Sequence, residues 1–103
     1  MSDTIIVTGT IDLDPAKRDD AIAAALEVME ATRAEEGSVA YTFSTDLSDP
    51  GRLHLVEEWA SAAAMDAHMQ TPHLAAFMGK MAECGVRAAN LTKWEGATGS
   101  KLM

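Results

Sequence analysis

The sequence predicts a single α+β domain with the element order β-α-β-β-α-β. Three observations carry that expectation: short stretches in which apolar residues alternate, longer stretches between them with helical spacing, and cap or turn residues at the joints. With 103 residues, 48% of them apolar, the chain can build one hydrophobic core and is too short for two ordinary domains. Residues 1-103 are therefore read as one domain.

From Ile5 to Leu13 the residues Ile5, Val7, Ile11 and Leu13 share one face and Thr8, Thr10 and Asp12 the other, which is the period of a strand. Asp14 can cap exposed helix amides, and Pro15 suits a first helical turn. The spacing of Ile22, Ala25, Leu26, Met29 and Thr32 marks an apolar helix face, with Lys17, Asp20, Glu27 and Glu30 on the other side. Gly37 can end that helix. Val39, Tyr41 and Phe43 then alternate with Ala40, Thr42 and Ser44 as a second strand, closed by the turn Asp46 to Gly51.

The third strand, Arg52 to Trp59, puts Leu53, Leu55, Glu57 and Trp59 on one face and His54, Val56 and Glu58 on the other. A carboxylate thus shares a face with a large aromatic. Ser61 and the pair Thr71-Pro72 signal two helical segments, one reaching about Met69 and one running toward Cys84, with Gly85 at its end. Val86 to Glu95 reads as the last strand, and residues 96-103 as a loose tail. This order is the ferredoxin-like plan, in which two crossovers lay the helices on one face of an antiparallel sheet. The opposite face is left bare in a monomer, so a homodimer with two sheets face to face, a dimeric α/β barrel, is expected.

Composition excludes several roles. A formal charge of −8 with scattered Lys and Arg does not suit nucleic acid or an anionic membrane surface. No apolar run is long enough to span a bilayer, and the first residues lack the pattern of a secretory signal, so a cytoplasmic protein is expected. Cys84 is the only cysteine and reads as a buried, inert thiol. The glycines are dispersed, so no phosphate-binding loop is present. His68 and His73 lie five apart across Pro72 with no evident third ligand, so no metal site is expected.

The stretch from Leu53 to Trp59, followed by His68 and then by Gln70-Thr71-Pro72-His73-Leu74, resembles the central part of the antibiotic biosynthesis monooxygenase family. There a strand ending in Glu-x-Trp leads to a short helix with a His and then to a Thr/Ser-Pro-His step. The resemblance implies a dimer with a cavity between sheet and helices in each subunit. It also implies oxygenation of quinols or polycyclic hydroxyaromatics by dioxygen without metal, flavin or haem.

Such chemistry needs a substrate that becomes electron-rich on deprotonation, a base, and a dry pocket. His68 fits the base, since an ordinary imidazole titrates near roughly 6.5. Glu57 is expected to orient it. Trp59, Tyr41 and Phe43 can stack on a planar ring, Met65, Met69 and Phe77 can line the rest, and His73 is a second base. Each also has a structural reading: a hydrogen-bonded core histidine, a neutralising carboxylate, aromatic and methionine packing, a helix-start histidine. Two other functions compete. One is a dimeric binding protein for an aromatic metabolite without turnover. The other is haem degradation, which in related barrels uses an Asn, a Trp and a His where this chain has Thr8, His68 and Phe77 or Met78.

Overall fold

The computed structural model describes residues 2–103 and realises the expected order. Strand β1 (Ile5–Asp12) leads through a short 3-10 turn to helix α1 (Arg18–Arg33). Strands β2 (Ser38–Thr45) and β3 (Arg52–Trp59) form a hairpin. Helices α2 (Ala62–His68) and α3 (Pro72–Glu83) then precede strand β4 (Ala88–Glu95). The antiparallel sheet has the order β2-β3-β1-β4, that of a ferredoxin-like fold. Among the described residues no helix is long and apolar enough to cross a membrane.

The caps act as their chemistry demands. Asp14 accepts from the amide of Ala16, Ser61 from that of Ala64, and Thr71 from that of Leu74, each satisfying a donor that the first helical turn leaves free. Asp46 organises the hairpin turn by accepting from the amides of Ser48 and Asp49, and its second oxygen meets His54 Nε2 at 2.7 Å. The His54 ring, with the Ser48 donors behind it, holds the Asp46 carboxyl well below the ordinary carboxylate range.

The core lies between the helices and the inward row of the sheet: Ile5, Val7 and Ile11 from β1, Tyr41 and Phe43 from β2, and Leu53 and Leu55 from β3. Each buried Val or Leu contributes about 1.5–3 kcal/mol by leaving water. Two expectations shift. The face of α1 that packs inward is Ala21, Ala24, Ala25, Val28 and Thr32, whereas Leu26 is exposed and Ile22 and Met29 are half-buried. This neighbouring stripe has the same helical spacing, and its small residues let α1 sit close to the sheet. Val39 also leaves the row of Tyr41 and Phe43, because the pairing of β2 with β3 shifts between Ser38 and Ala40 and Val39 is exposed there.

The outer sheet face carries Ile6, Thr8, Val56 and Trp94, a mixed surface in which the indole of Trp94 donates to the Thr8 hydroxyl. The C-terminal segment is less loose than the sequence suggests, since the Ala97 amide donates to the Thr4 carbonyl and Ser2 donates back to Ala97. Beyond it the residues are exposed.

Gly9 breaks the inward row of β1, and β4 occupies the space. A Cβ at this position would stand 2.1 Å from the Asn90 carbonyl oxygen and 2.8 Å from Leu91 Cα. Both are backbone atoms, so β4 would have to move. Gly9→Ala is expected to lower stability by about 3 kcal/mol, read as a drop in the urea midpoint. An unchanged midpoint would mean that β4 does not ride this close to β1.

Candidate functional site

Four segments converge beneath the helices. The connection after α1 delivers Glu35: its backbone is folded back by the bond from the Ser38 amide to the Glu35 carbonyl, and Gly37 takes a left-handed φ of 84°. A Cβ on Gly37 would stand 2.5 Å from that of Ala64, so the missing side chain is also what lets this connection touch α2. His68 closes α2. Thr71 joins α2 to α3, because its hydroxyl donates to the His68 carbonyl at 2.7 Å while accepting from the Leu74 amide. His73 stands in the first turn of α3.

These placements bring two imidazoles onto one carboxylate oxygen. His68 Nδ1 and His73 Nε2 each lie 2.7 Å from Glu35 Oε2. The His68 ring is almost wholly buried, packed against Trp59 with centroids 4.8 Å apart and against Tyr41 at 5.3 Å. With Nδ1 committed to Glu35, Nε2 is the nitrogen left to meet a ligand.

That ligand space is a cavity of about 470 Å³ between the sheet and helices α2 and α3. Its wall is overwhelmingly apolar, with Phe43, Leu55, Met65, Phe77 and Met81 among the lining side chains. The polar exceptions include His68, Tyr41, Glu57 and, from β4, Lys93. The volume is within the range of small-molecule sites, and the pattern of an apolar wall with a few convergent polar groups is the usual one.

The sequence-selected residues separate into two groups. Tyr41, Phe43, Glu57, Met65, His68, Met69 and Phe77 all line the cavity. Trp59 and His73 do not. Trp59 is completely buried, backing His68 and donating from Nε1 to Glu57 Oε1 at 2.8 Å, so it supports the wall without forming it. His73 spends Nε2 on Glu35, outside the cavity. The partner that orients His68 is likewise Glu35 and not Glu57, whose hydrogen bond goes to Trp59.

Glu35 escaped the sequence reading, although one signal was present. Two acids, Glu35 and Glu36, follow the C-terminus of α1, where the helix dipole favours cations. A locally unfavourable charge of this kind points to a partner elsewhere in the fold. Met78, Met81 and Lys93 were also missed as lining residues.

Glu57, unlike Glu35, is a buried carboxyl. Burial pushes its pKa upward, the Trp59 N–H and the His68 ring pull partly back, and the charge of Glu35 adds a further push upward. The sign of the linkage follows. Below the ordinary value of 4.5 the group is protonated whether the chain is folded or not, so burial carries no ionic penalty. As pH rises the unfolded chain releases this proton first, and the folded state loses relative stability until its own carboxyl ionises. Glu57→Gln keeps an oxygen for the Trp59 N–H and removes the titration. It is expected to flatten the decline in stability above pH 4.5, measured by urea denaturation across the pH range. Parallel curves for the two proteins would refute the buried-carboxyl account.

Comparison with known proteins adds the family. The profile for Antibiotic biosynthesis monooxygenase matches residues 4–80. The chain is 32% identical over 89 residues to the uncharacterised protein sll1783 of Synechocystis, a match covering 86% of this chain and 60% of that protein. It is 29% identical over 76 residues to the monooxygenase candidate YcnE of Bacillus subtilis, covering 74% of this chain and 80% of the relative. A solved structure of a candidate antibiotic biosynthesis monooxygenase from Deinococcus radiodurans superposes with a TM-score of 0.88 at 25% identity, over 96% of this chain and 98% of that one. A counterpart from Caulobacter crescentus, at 20% identity and a TM-score of 0.87 over 94% and 92% of the two chains, shares the fold. On the profile match and the agreement of the whole fold, the chain belongs to the antibiotic biosynthesis monooxygenase family.

Proposed function

We propose that this protein is a cofactor-independent monooxygenase that oxidises a quinol or a polycyclic hydroxyaromatic with dioxygen, His68 acting as general base. The observation that carries this reading is a buried imidazole at an apolar cavity of about 470 Å³, with its far nitrogen tied to Glu35. If Nδ1–H donates to Glu35, the lone pair is on Nε2, which is the tautomer a base requires.

The remaining groups fit supporting parts. Burial, and then the charges of Glu57 and Glu35, push the Tyr41 phenol far above its ordinary pKa, so it stays neutral and can donate a hydrogen bond to a substrate oxygen. Phe43 and Phe77, with centroids 5.1 Å apart, offer aromatic surface to a planar ring. The apolar wall keeps water away from reactive intermediates.

The reaction balances without another redox partner. His68 Nε2 takes the phenolic proton, and the resulting phenolate passes one electron to dioxygen. Superoxide and the substrate radical combine at a ring carbon, giving a hydroperoxide once a proton returns. Loss of water converts that carbon to a carbonyl. One oxygen atom enters the product, the other leaves as water, and all four electrons come from the substrate.

The family's dimer extends the proposal: the outer sheet face, with Val56 and Trp94 exposed, packs against a second copy. A charge there would be buried without a partner, so Val56→Asp is expected to convert a dimer to a monomer in sedimentation. A monomeric parent protein would reject the pairing.

For the chemistry, the readout is oxygen consumption with a reduced naphthoquinone or an anthrone. His68→Ala is expected to lower kcat/KM by about 100-fold, with the circular dichroism spectrum retained. Glu35→Gln should also slow the reaction, since it alters the acceptor that holds the His68 ring in place. An unchanged rate in His68→Ala would eliminate the base. Ligand binding without any protein-dependent oxidation would make the protein a binding module.

A further inference from the structure

We propose that Glu35, His68 and His73 form a binding site for one divalent first-row transition ion, on the side of His68 turned away from the cavity. The donor atoms are His68 Nδ1, His73 Nε2 and a Glu35 carboxylate oxygen, all within 4.8 Å of one another. Three separate segments supply them: the connection after α1, the end of α2 and the first turn of α3. Both imidazoles aim at a single oxygen, Oε2, at 2.7 Å each. In a metal complex one ion takes the place of the two N–H protons between those atoms.

The fit follows from ligand chemistry. Two imidazoles with one carboxylate suit zinc and its neighbours, whose bonds to nitrogen and oxygen run about 2.0–2.2 Å. Neighbouring donors around such an ion stand about 3.3 Å apart for tetrahedral geometry. The nitrogen–oxygen pairs therefore open by a fraction of an ångström, while the two imidazole nitrogens, which lie within 4.8 Å of each other, draw in toward the same spacing. Glu35 and His73 are partly exposed while His68 is buried, so an ion can enter from solvent and keep water as its remaining ligand. The net charge of −8 also raises the local concentration of cations.

Occupation would act on the cavity through His68. A metal on Nδ1 displaces that nitrogen's proton, so the neutral ring carries its hydrogen on Nε2. The nitrogen facing the cavity then donates where it would otherwise accept. Granted the oxygenase reading above, the loaded protein lacks its base, and the ion is an inhibitor and not a participant in oxygen chemistry. Metal binding itself does not depend on that reading.

Two measurements keep them apart. Zinc chloride titrated into the intact protein, followed by calorimetry without substrate, is expected to show one ion per chain. His73→Ala and Glu35→Gln should each weaken it by at least about tenfold, while His54→Ala, which disturbs the separate pair with Asp46, leaves it unchanged. Cobalt(II) should give visible absorption bands that disappear in His73→Ala. Absence of saturable binding, or affinity lost in His54→Ala and kept in His73→Ala, would overturn the site. Zinc binding in a protein that never oxidises a quinol would retain the site and reject only the oxygenase reading.

Discussion

A single carboxylate oxygen, Glu35 Oε2, fastens the end of α1 to both helices that follow the hairpin. The site depends on it because α2, with seven residues, is too short to hold its own orientation. Ser61 caps its start, Ala64 leans on Gly37, Thr71 ties its last carbonyl to α3, and Glu35 fixes the ring at its end. Losing Glu35 would leave an imidazole buried beside Trp59 and Tyr41 with an unpaired nitrogen, a state that costs about 1–3 kcal/mol.

Around this anchor the electrostatics are arranged in opposition. Two carboxyls approach the same aromatic cluster, and they are treated differently. Glu35 is partly solvated and shared by two rings, whereas Glu57 is buried, bonded to one indole and driven toward its neutral form. The cavity thus presents a carboxyl, a phenol and an imidazole to one ligand. Such separated environments are how like groups acquire unlike roles.

The fold was legible because its signals are local. Alternation from Ile5 to Leu13, the caps at Asp14, Ser61 and Thr71, and the Asp46 turn each need only neighbouring residues to be read. The cavity residues of β2, β3 and α2 followed from the same periodicities together with the family resemblance. Glu35 could not be reached this way. It lies 33 residues before His68, and its role arises only when the left-handed Gly37 turns the chain against α2. Trp59 was misjudged for a related reason: shared strand face predicts nearness to Glu57, yet it does not say which of two neighbours meets the cavity. The face of α1 was displaced by one stripe because bulk suggested Leu26, while close packing required alanine.

Among the described residues two of the three buried polar side chains, Glu57 and His68, open onto the apolar cavity, and the third, Thr32, lies on the inward stripe of α1. A fold selected for stability alone would put Leu or Met at positions 57 and 68 and close the space above them, since each buried ionisable group costs free energy that an apolar side chain does not. Methionines at 65, 69, 78 and 81 border the space instead of filling it, and their flexible thioethers can adapt to a planar guest. Two buried ionisable side chains, Glu57 and His68, are thus concentrated around one void. That concentration is the physical argument for a site, independent of the family, because local conflicts gathered at a single place mark where a chain gives up stability for function.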